Sequence, residues 1–214
     1  ARVSVPDRVE AGAFRRRLAQ AGGALGVRVG TFYDLYADVL ALVGGPPVGG
    51  MARLPAAVRH RLIGHLFESL ADAGRITYYA PLRGASGFSR LLGQLFGELK
   101  RGRVLPEELE RVLAPQEDPR LVELGRIYTA YQTWLLETGW VDAEGQGWLA
   151  ALALEGDSSL LSDLALLAVD GFDEFNPTQL QVLRLLAGRA EETLVTLTGD
   201  PECPDRLAHR RPAR

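Results

Sequence analysis

The sequence predicts an α/β protein whose parallel sheet is interrupted by a long helical block. Three observations carry this reading. Short apolar strand patterns, Val3-Ser4-Val5 and Val27-Arg28-Val29, each precede an amphipathic helix pattern. From about Pro55 to Leu154 the apolar residues then recur at helical spacing. Afterwards an unbroken apolar run, Leu164–Val169, ends on Asp170, the way a buried parallel strand delivers a carboxylate to the edge of a sheet.

Residues 1–50 form the first part of the α/β domain. Pro6-Asp7 turns the chain into a helix from Glu10 to Gln20, with Ala13, Phe14 and Leu18 apolar, and Gly22-Gly23 stops it. Thr31 is placed to cap a helix from Phe32 to Val43, and the run Gly44 to Gly50 breaks the chain. Residues 51–160 read as an all-helical insertion. Val58, Leu62, Leu66, Phe67 and Leu70 line its first helix. Ser86 caps the second, which carries Phe88, Leu91, Leu92, Leu95, Phe96 and Leu99 on one side. Pro106 suits the first turn of a short helix before Leu109 and Leu113. Asp118-Pro119 opens the longest helix, striped by Leu121, Leu124, Ile127, Tyr128, Tyr131 and Leu135, and Gly139 closes it. Asp142 caps one more helix to Ala153. Residues 161–200 return to the sheet, with a helix from Pro177 to Leu186 and a strand from Thr193 to Thr198. Residues 201–214, rich in proline and arginine, read as a loosely ordered tail.

A net charge of -3 gives no global basic signature, so any nucleic-acid surface must be local. The basic residues are arginines apart from Lys100, a bias that fits a GC-rich genome. Cys203 stands alone, which excludes an internal disulfide framework and a cysteine-rich metal site. No apolar run approaches the roughly 20 residues of a membrane span, and no signal peptide opens the chain, so a cytoplasmic protein is expected. The chain starts on a strand-like segment without methionine and reads as a fragment.

The landmarks, taken in order over roughly residues 3 to 200, resemble the first motor domain of UvrD-like superfamily 1 helicases. More closely they are similar to the AddB (RexB) subunit of AddAB-type helicase–nucleases. The residues that carry this are Val3-Ser4-Val5-Pro6-Asp7-Arg8, matching motif Ia, and Val29-Gly30-Thr31-Phe32, matching motif Ib. Phe88 with Glu98-Leu99-Lys100, then Val104-Leu105-Pro106-Glu107, resembles the family's middle helices. Ile127-Tyr128-Thr129-Ala130-Tyr131-Gln132, with Gly139 and Asp142, resembles its insertion. Asp170-Gly171-Phe172 with Gln179 is a degenerate Walker B motif, and Thr198-Gly199-Asp200 begins motif III.

The resemblance implies an incomplete P-loop NTPase-like sheet, motor domain 1A, interrupted by a helical 1B insertion. It implies Asp170 as the magnesium and nucleotide residue and Gln179 as a nucleotide sensor. Arg8, Thr31, Phe32, Lys100 and Arg101 are implied to contact DNA, Phe32 by offering a face to a base. ATP and Mg2+ are expected only if a phosphate-binding loop precedes Val3. The implied partners are single-stranded or duplex-end DNA and an AddA-like motor and nuclease subunit, with no membrane. Gly171 stands where the motif has its catalytic glutamate, and Pro201-Glu202-Cys203 where motif III continues. Phosphoryl transfer needs its parts together, so no catalysis is expected of this segment by itself. Its role is read as gripping or scanning DNA at broken ends during recombinational repair.

Bland readings stand beside these. Thr31 and Phe32 equally suit a helix cap and a core aromatic, Asp170 a strand-end aspartate, and Gln179 a solvent-facing helix residue. Asp173 and Glu174 suit compensation of a helix dipole better than a substitute base. Lys100, Arg101 and Arg103 sit at a helix end, where positive charge is stabilising in any case. Arg15, Arg16 and Arg17 suit a solvated face, and Tyr128, Tyr131 and Trp134 core packing. His60 and His65 lie on different helix faces without a third ligand, so no zinc site is expected. Two rival functions remain: an active superfamily 1 helicase drawing its base from Asp173 or Glu174, and a scaffold that only docks a partner.

Overall fold

The computed structural model describes residues 1–43, 51–116 and 118–197. The chain divides into two compact units, one joining Ala1–Val43 to the chain from Leu149 onward, the other the segment between them.

In the first unit, β1 (Arg2–Ser4), α1 (Arg8–Gln20), β2 (Arg28–Gly30) and α2 (Phe32–Leu42) follow in turn. The chain returns with β5 (Leu166–Phe172), α8 (Pro177–Ala187) and β6 (Glu192–Leu197). The four strands pair in the order β2-β1-β5-β6, all parallel. Both faces of the sheet are therefore covered, as parallel sheets require, with Arg2 and Ser4 of β1 the buried polar exceptions. Val3, Val5, Val29 and Ala168 meet Ala11 of α1 on one face. Leu167 and Val169 meet Phe32, Leu35 and Val39 of α2 and Val182 and Leu186 of α8 on the other.

The α/β class read from the alternating patterns is borne out. One boundary differs in a way that matters: β5 does not end before Asp170 but runs through it to Phe172. A bulge between Val169 and Phe172, with Gly171 at φ 78°, lets the ladder resume at Phe172 against Leu197.

The second unit holds β3 (Ala52–Arg53), α3 (Ala56–Asp72), a 3-10 turn at Ala80–Leu82, and α4 (Ser86–Arg101). Then come α5 (Pro106–Leu113), a 3-10 turn at Ala114–Gln116, α6 (Pro119–Thr138) and β4 (Trp140–Val141). The division between the units falls inside α7 (Ala143–Gly156), at Trp148, where the sequence reading sets its boundary after residue 160. Phe67, Leu92, Phe96, Ile127, Tyr128, Tyr131 and Leu135 centre the core.

Two expectations are corrected here. The block is not all-helical, because β3 and β4 pair in parallel, Ala52 with Trp140 and Arg53 with Val141. Gly139 ends α6 in the left-handed region at φ 69°, which turns the next two residues into extended chain. Leu54 precedes a proline, which disfavours helix on that side. Ser86 is the first residue of α4 and not its cap: Ala85 holds that position and contributes no side-chain bond. The expected break at Gly44–Gly50 and everything read from Thr198 onward, including Gly199-Asp200 and Cys203, lie outside the described residues.

Candidate functional site

Since the four strands run the same way, their carboxyl ends share one edge of the sheet, and three helices begin there. Asp7 accepts from the N–H groups of Val9 and Glu10 and starts α1. Thr31 and Asp34 form a reciprocal capping box that starts α2, with the Thr31 N–H 2.8 Å from Asp34 Oδ2. Asn176 and Gln179 do the same for α8, followed by Pro177 in the first turn. The positive ends of three helix dipoles are thus gathered at the edge where open parallel sheets bind ligands.

Asp170 stands on this edge, its side chain 39% exposed. Its Oδ1 accepts from the Thr196 hydroxyl of β6, and Oδ2 lies 3.9 Å from Arg17 of α1. Next to it, the Gly171 N–H donates to Thr196 Oγ1 at 3.4 Å. A Cβ at 171 meets only ordinary contacts, the nearest being Glu10 Oε2 at 3.6 Å. Space therefore does not exclude a side chain at 171; the left-handed backbone disfavours one. The same distance brings a carboxylate from α1 to the spot where a side chain at 171 begins. Sequence reading missed Glu10, because nothing local to residues 164–179 points to α1.

Other expected site residues fall differently. Arg8 is exposed at the first position of α1, where a cation opposes the helix dipole and gains no local stability. Thr31 is buried and its hydroxyl is spent on the capping box. That box holds the Asp34 carboxyl below its usual range, chiefly through the Thr31 backbone N–H, with burial opposing. Phe32 is 3% exposed and packs edge-on against Phe172 at 5.2 Å, so the expectation that it offers a face to a base is corrected. Gln179 sits half-buried at the start of α8, where its Oε1 accepts from the Asn176 N–H at 2.9 Å. Asp173 and Glu174 are exposed and precede the cap of α8.

Lys100 gives the plainest correction. Its ammonium is wholly buried, with both Asp142 oxygens at 2.9 Å and the Tyr131 and Trp148 rings within cation–π distance. Asp142 also accepts from the Tyr131 hydroxyl at 2.9 Å and the Gly145 N–H at 2.8 Å, capping α7. Burial pulls the Lys100 ammonium down in pKa, and Asp142 opposes that pull. Burial raises the Asp142 carboxyl, but Lys100, Gly145 and Tyr131 together hold it below its usual range. This lysine therefore does not reach a phosphate. The signal was in the sequence: Leu92, Phe96 and Lys100 form an i, i+4, i+8 row on the apolar face of α4. Arg101 keeps about 42% exposure and meets Glu144 Oε1 at 3.3 Å, while Arg59 meets the other oxygen at 3.1 Å. Tyr128 and Tyr131 are core residues, as their spacing implies. Among the described residues no cluster of histidines, cysteines and carboxylates could hold a metal, and no helix is long and apolar enough to cross a membrane.

The fold and this edge define a class, an open parallel α/β domain with its polar groups gathered at the carboxyl ends of the strands. Comparison with known proteins places the chain further. It matches the family described as ADDB, N-terminal, over residues 16–211, and it belongs to that family. The resemblance to the AddB subunit is thereby borne out. Similar proteins include a subunit of the ATP-dependent helicase/deoxyribonuclease of Moorella thermoacetica, 35% identical over 144 residues, covering 62% of this chain and 12% of that protein. The proteins of the same description from Caldanaerobacter subterraneus subsp. tengcongensis and Clostridioides difficile are 28% and 26% identical, over 72% and 82% of this chain and 13% and 15% of their own length. The chain thus spans only 12–15% of these relatives.

Proposed function

We propose that this chain is the helicase-like part of a subunit of an ATP-dependent helicase–nuclease acting on broken DNA ends in recombinational repair. Its role there is to grip or scan DNA while an AddA-like partner supplies the working motor. One observation carries the degenerate reading: the residue after the strand-edge carboxylate is a glycine at φ 78°, so no side chain follows Asp170 to orient an attacking water. In keeping with this, the four-stranded sheet is read as motor domain 1A and the helical unit as its 1B insertion. Magnesium takes one or two carboxylates together with phosphate oxygens and water. Asp170, with the Thr196 hydroxyl beside it, suits one such ligand if nucleotide is held by a phosphate-binding loop elsewhere in the protein. The exposed Arg8 at the same edge suits a phosphate of the DNA.

The test uses the intact subunit with and without its partner. DNA binding by the subunit is expected to fall as salt rises, and unwinding by the complex is expected to survive Asp170→Asn. Robust ATP-driven unwinding by the subunit alone would sink the degenerate reading. A second reading, an active motor, is favoured by the Glu10 carboxylate lying 3.6 Å from the start of a side chain at 171. In that case Glu10→Gln abolishes DNA-stimulated ATP hydrolysis by the subunit and leaves nucleotide binding intact.

A further inference from the structure

The loop between α3 and α4 is fastened more firmly than a surface connection needs. Glu123 of α6, 3% exposed, accepts from the N–H groups of Thr77 at 2.7 Å, Tyr78 at 2.8 Å and Tyr79 at 3.0 Å. The Thr77 hydroxyl adds a fourth bond at 3.1 Å. Charge-assisted bonds of this kind are the strong ones, and here they fix three successive peptide groups. What they hold in place is Tyr78, half in solvent. Its ring meets Tyr79 edge-on, with centroids 5.0 Å apart; Tyr79 lies 5.1 Å from Phe88, and Phe88 lies 5.2 Å from the buried Phe67. A column of four aromatic rings thus runs from the core to the surface and ends on an exposed ring.

Four arginines lie on or beside this loop: Arg75 and Arg83 belong to it, Arg126 bonds it, and Arg120 is near enough to Tyr78 to couple with it. Arg75, Arg83, Arg120 and Arg126 are all exposed. Arg83 pairs with Asp72 at 3.0 Å and Arg120 with Asp118 at 2.7 Å. Among the described residues Arg75 and Arg126 have no carboxylate at ion-pair distance. Yet Arg126 Nη1 donates to the Arg75 carbonyl at 2.9 Å, which holds that guanidinium on the same loop. Cations gathered without counter-charge add nothing to folding, and they suit an anion supplied from outside.

We propose that this loop is a contact for unpaired nucleic acid: Tyr78 stacks a base, and Arg75 and Arg126 take the phosphates beside it. The proposal rests on the DNA-binding reading above and adds a site in the helical unit that the strand edge does not include. Single-strand binders combine an aromatic face with a positive track in this way. Tyrosine and arginine are enriched at protein–protein interfaces too. What favours nucleic acid here is that Arg75 and Arg126 have no carboxylate at ion-pair distance among the described residues, so the loop carries positive charge together with an exposed ring.

The test is binding of a labelled DNA hairpin with a single-stranded tail across a salt series, with 2-aminopurine in the tail as a stacking probe. Tyr78→Ala is expected to weaken binding about tenfold and to relieve the 2-aminopurine quenching. Tyr78→Phe keeps both, and the unfolding midpoint of each variant stays at the wild-type value. Arg75→Ala with Arg126→Ala lowers the slope of log affinity against log salt by about 0.7 for each phosphate that the protein ceases to neutralise. Wild-type affinity and quenching in Tyr78→Ala, with an unchanged slope in the arginine variant, overturn the loop proposal and leave the DNA-binding reading standing. A loss in Tyr78→Phe equal to that in Tyr78→Ala overturns the stacking role. Normal DNA binding with failed assembly onto the partner subunit reassigns the loop to a protein contact. A wild-type chain with no salt-sensitive binding overturns both readings.

Discussion

Two aspartates in this molecule share one local setting and have opposite fates. Asp142 follows the short strand β4 and precedes α7; Asp170 lies near the end of β5 and precedes α8. Asp142 is 1% exposed and holds Lys100, the Tyr131 hydroxyl and the Gly145 N–H. Asp170 is 39% exposed, with one hydroxyl and a guanidinium at 3.9 Å. An extended apolar segment that ends on a carboxylate therefore does not by itself mark a ligand site. In the helical unit the surrounding helices close over the carboxylate, and it serves the fold. At the sheet edge the described residues leave it partly exposed, and its charge stays available to a ligand.

The largest expected effect breaks this contrast from the buried side. Lys100→Met leaves the Asp142 carboxylate in the core without its cation. Removing one partner of a buried pair costs about 3–5 kcal/mol, because the remaining charge stays uncompensated. Urea unfolding of the variant should show that loss in full. A loss under about 1 kcal/mol, on the scale of an exposed pair, would mean that Lys100 reaches solvent and would reopen its assignment to DNA.

The same contrast explains what was legible in the sequence. Thr31, Pro106, Asp118-Pro119, Gly139 and Asp142 act within a few residues of themselves, so their roles as caps, first-turn prolines or stops follow from local chemistry. The α/β alternation was readable for the same reason, since each strand and helix writes its own period. The pairing of Ala52 with Trp140 joins segments far apart in sequence, and no local pattern announces it. Phe32 and Lys100 were misplaced because a motif names a residue without stating its burial. The approach of Glu10 to Gly171 depends on how α1 sits over the sheet, which periodicity does not encode.

An intermediate effect comes from acid. Asp142 and Glu123 are both buried and both titrate below their usual range. For Glu123, burial raises the carboxyl, and the N–H groups of Thr77, Tyr78 and Tyr79 with the Thr77 hydroxyl outweigh it. Carboxyls lowered by folding contribute stability that is complete above their unfolded pKa, about 4. That stability is lost as pH falls through the folded values. Urea midpoints should therefore decline below about pH 4, while His60, whose imidazole burial pulls below its usual range, adds a separate loss that begins as pH falls below about 6.5. Glu123→Gln keeps an acceptor but carries no charge, so it starts less stable by about 1–2 kcal/mol and declines less steeply in acid. A variant as steep as the wild type would place the acid sensitivity elsewhere.

The smallest effects belong to the sheet edge, and their smallness is the informative part. Gly171→Ala puts a Cβ on a left-handed residue where it makes only ordinary contacts, with Glu10 and Pro6, so only the backbone term of about 1–2 kcal/mol should appear on unfolding. Were that segment to relax to an ordinary backbone, alanine would stabilise the protein slightly by restricting the unfolded chain. Asp170→Asn keeps an acceptor for the Thr196 hydroxyl and gives up only the distant Arg17. Its unfolding free energy should stay within about 0.5 kcal/mol of wild type, as for surface changes away from structural features. A carboxylate that can be neutralised without touching the fold is one whose charge folding does not require. If Asp170→Asn instead unfolds the protein as readily as Lys100→Met, the two aspartates are alike, and the strand edge loses its claim to be a ligand site.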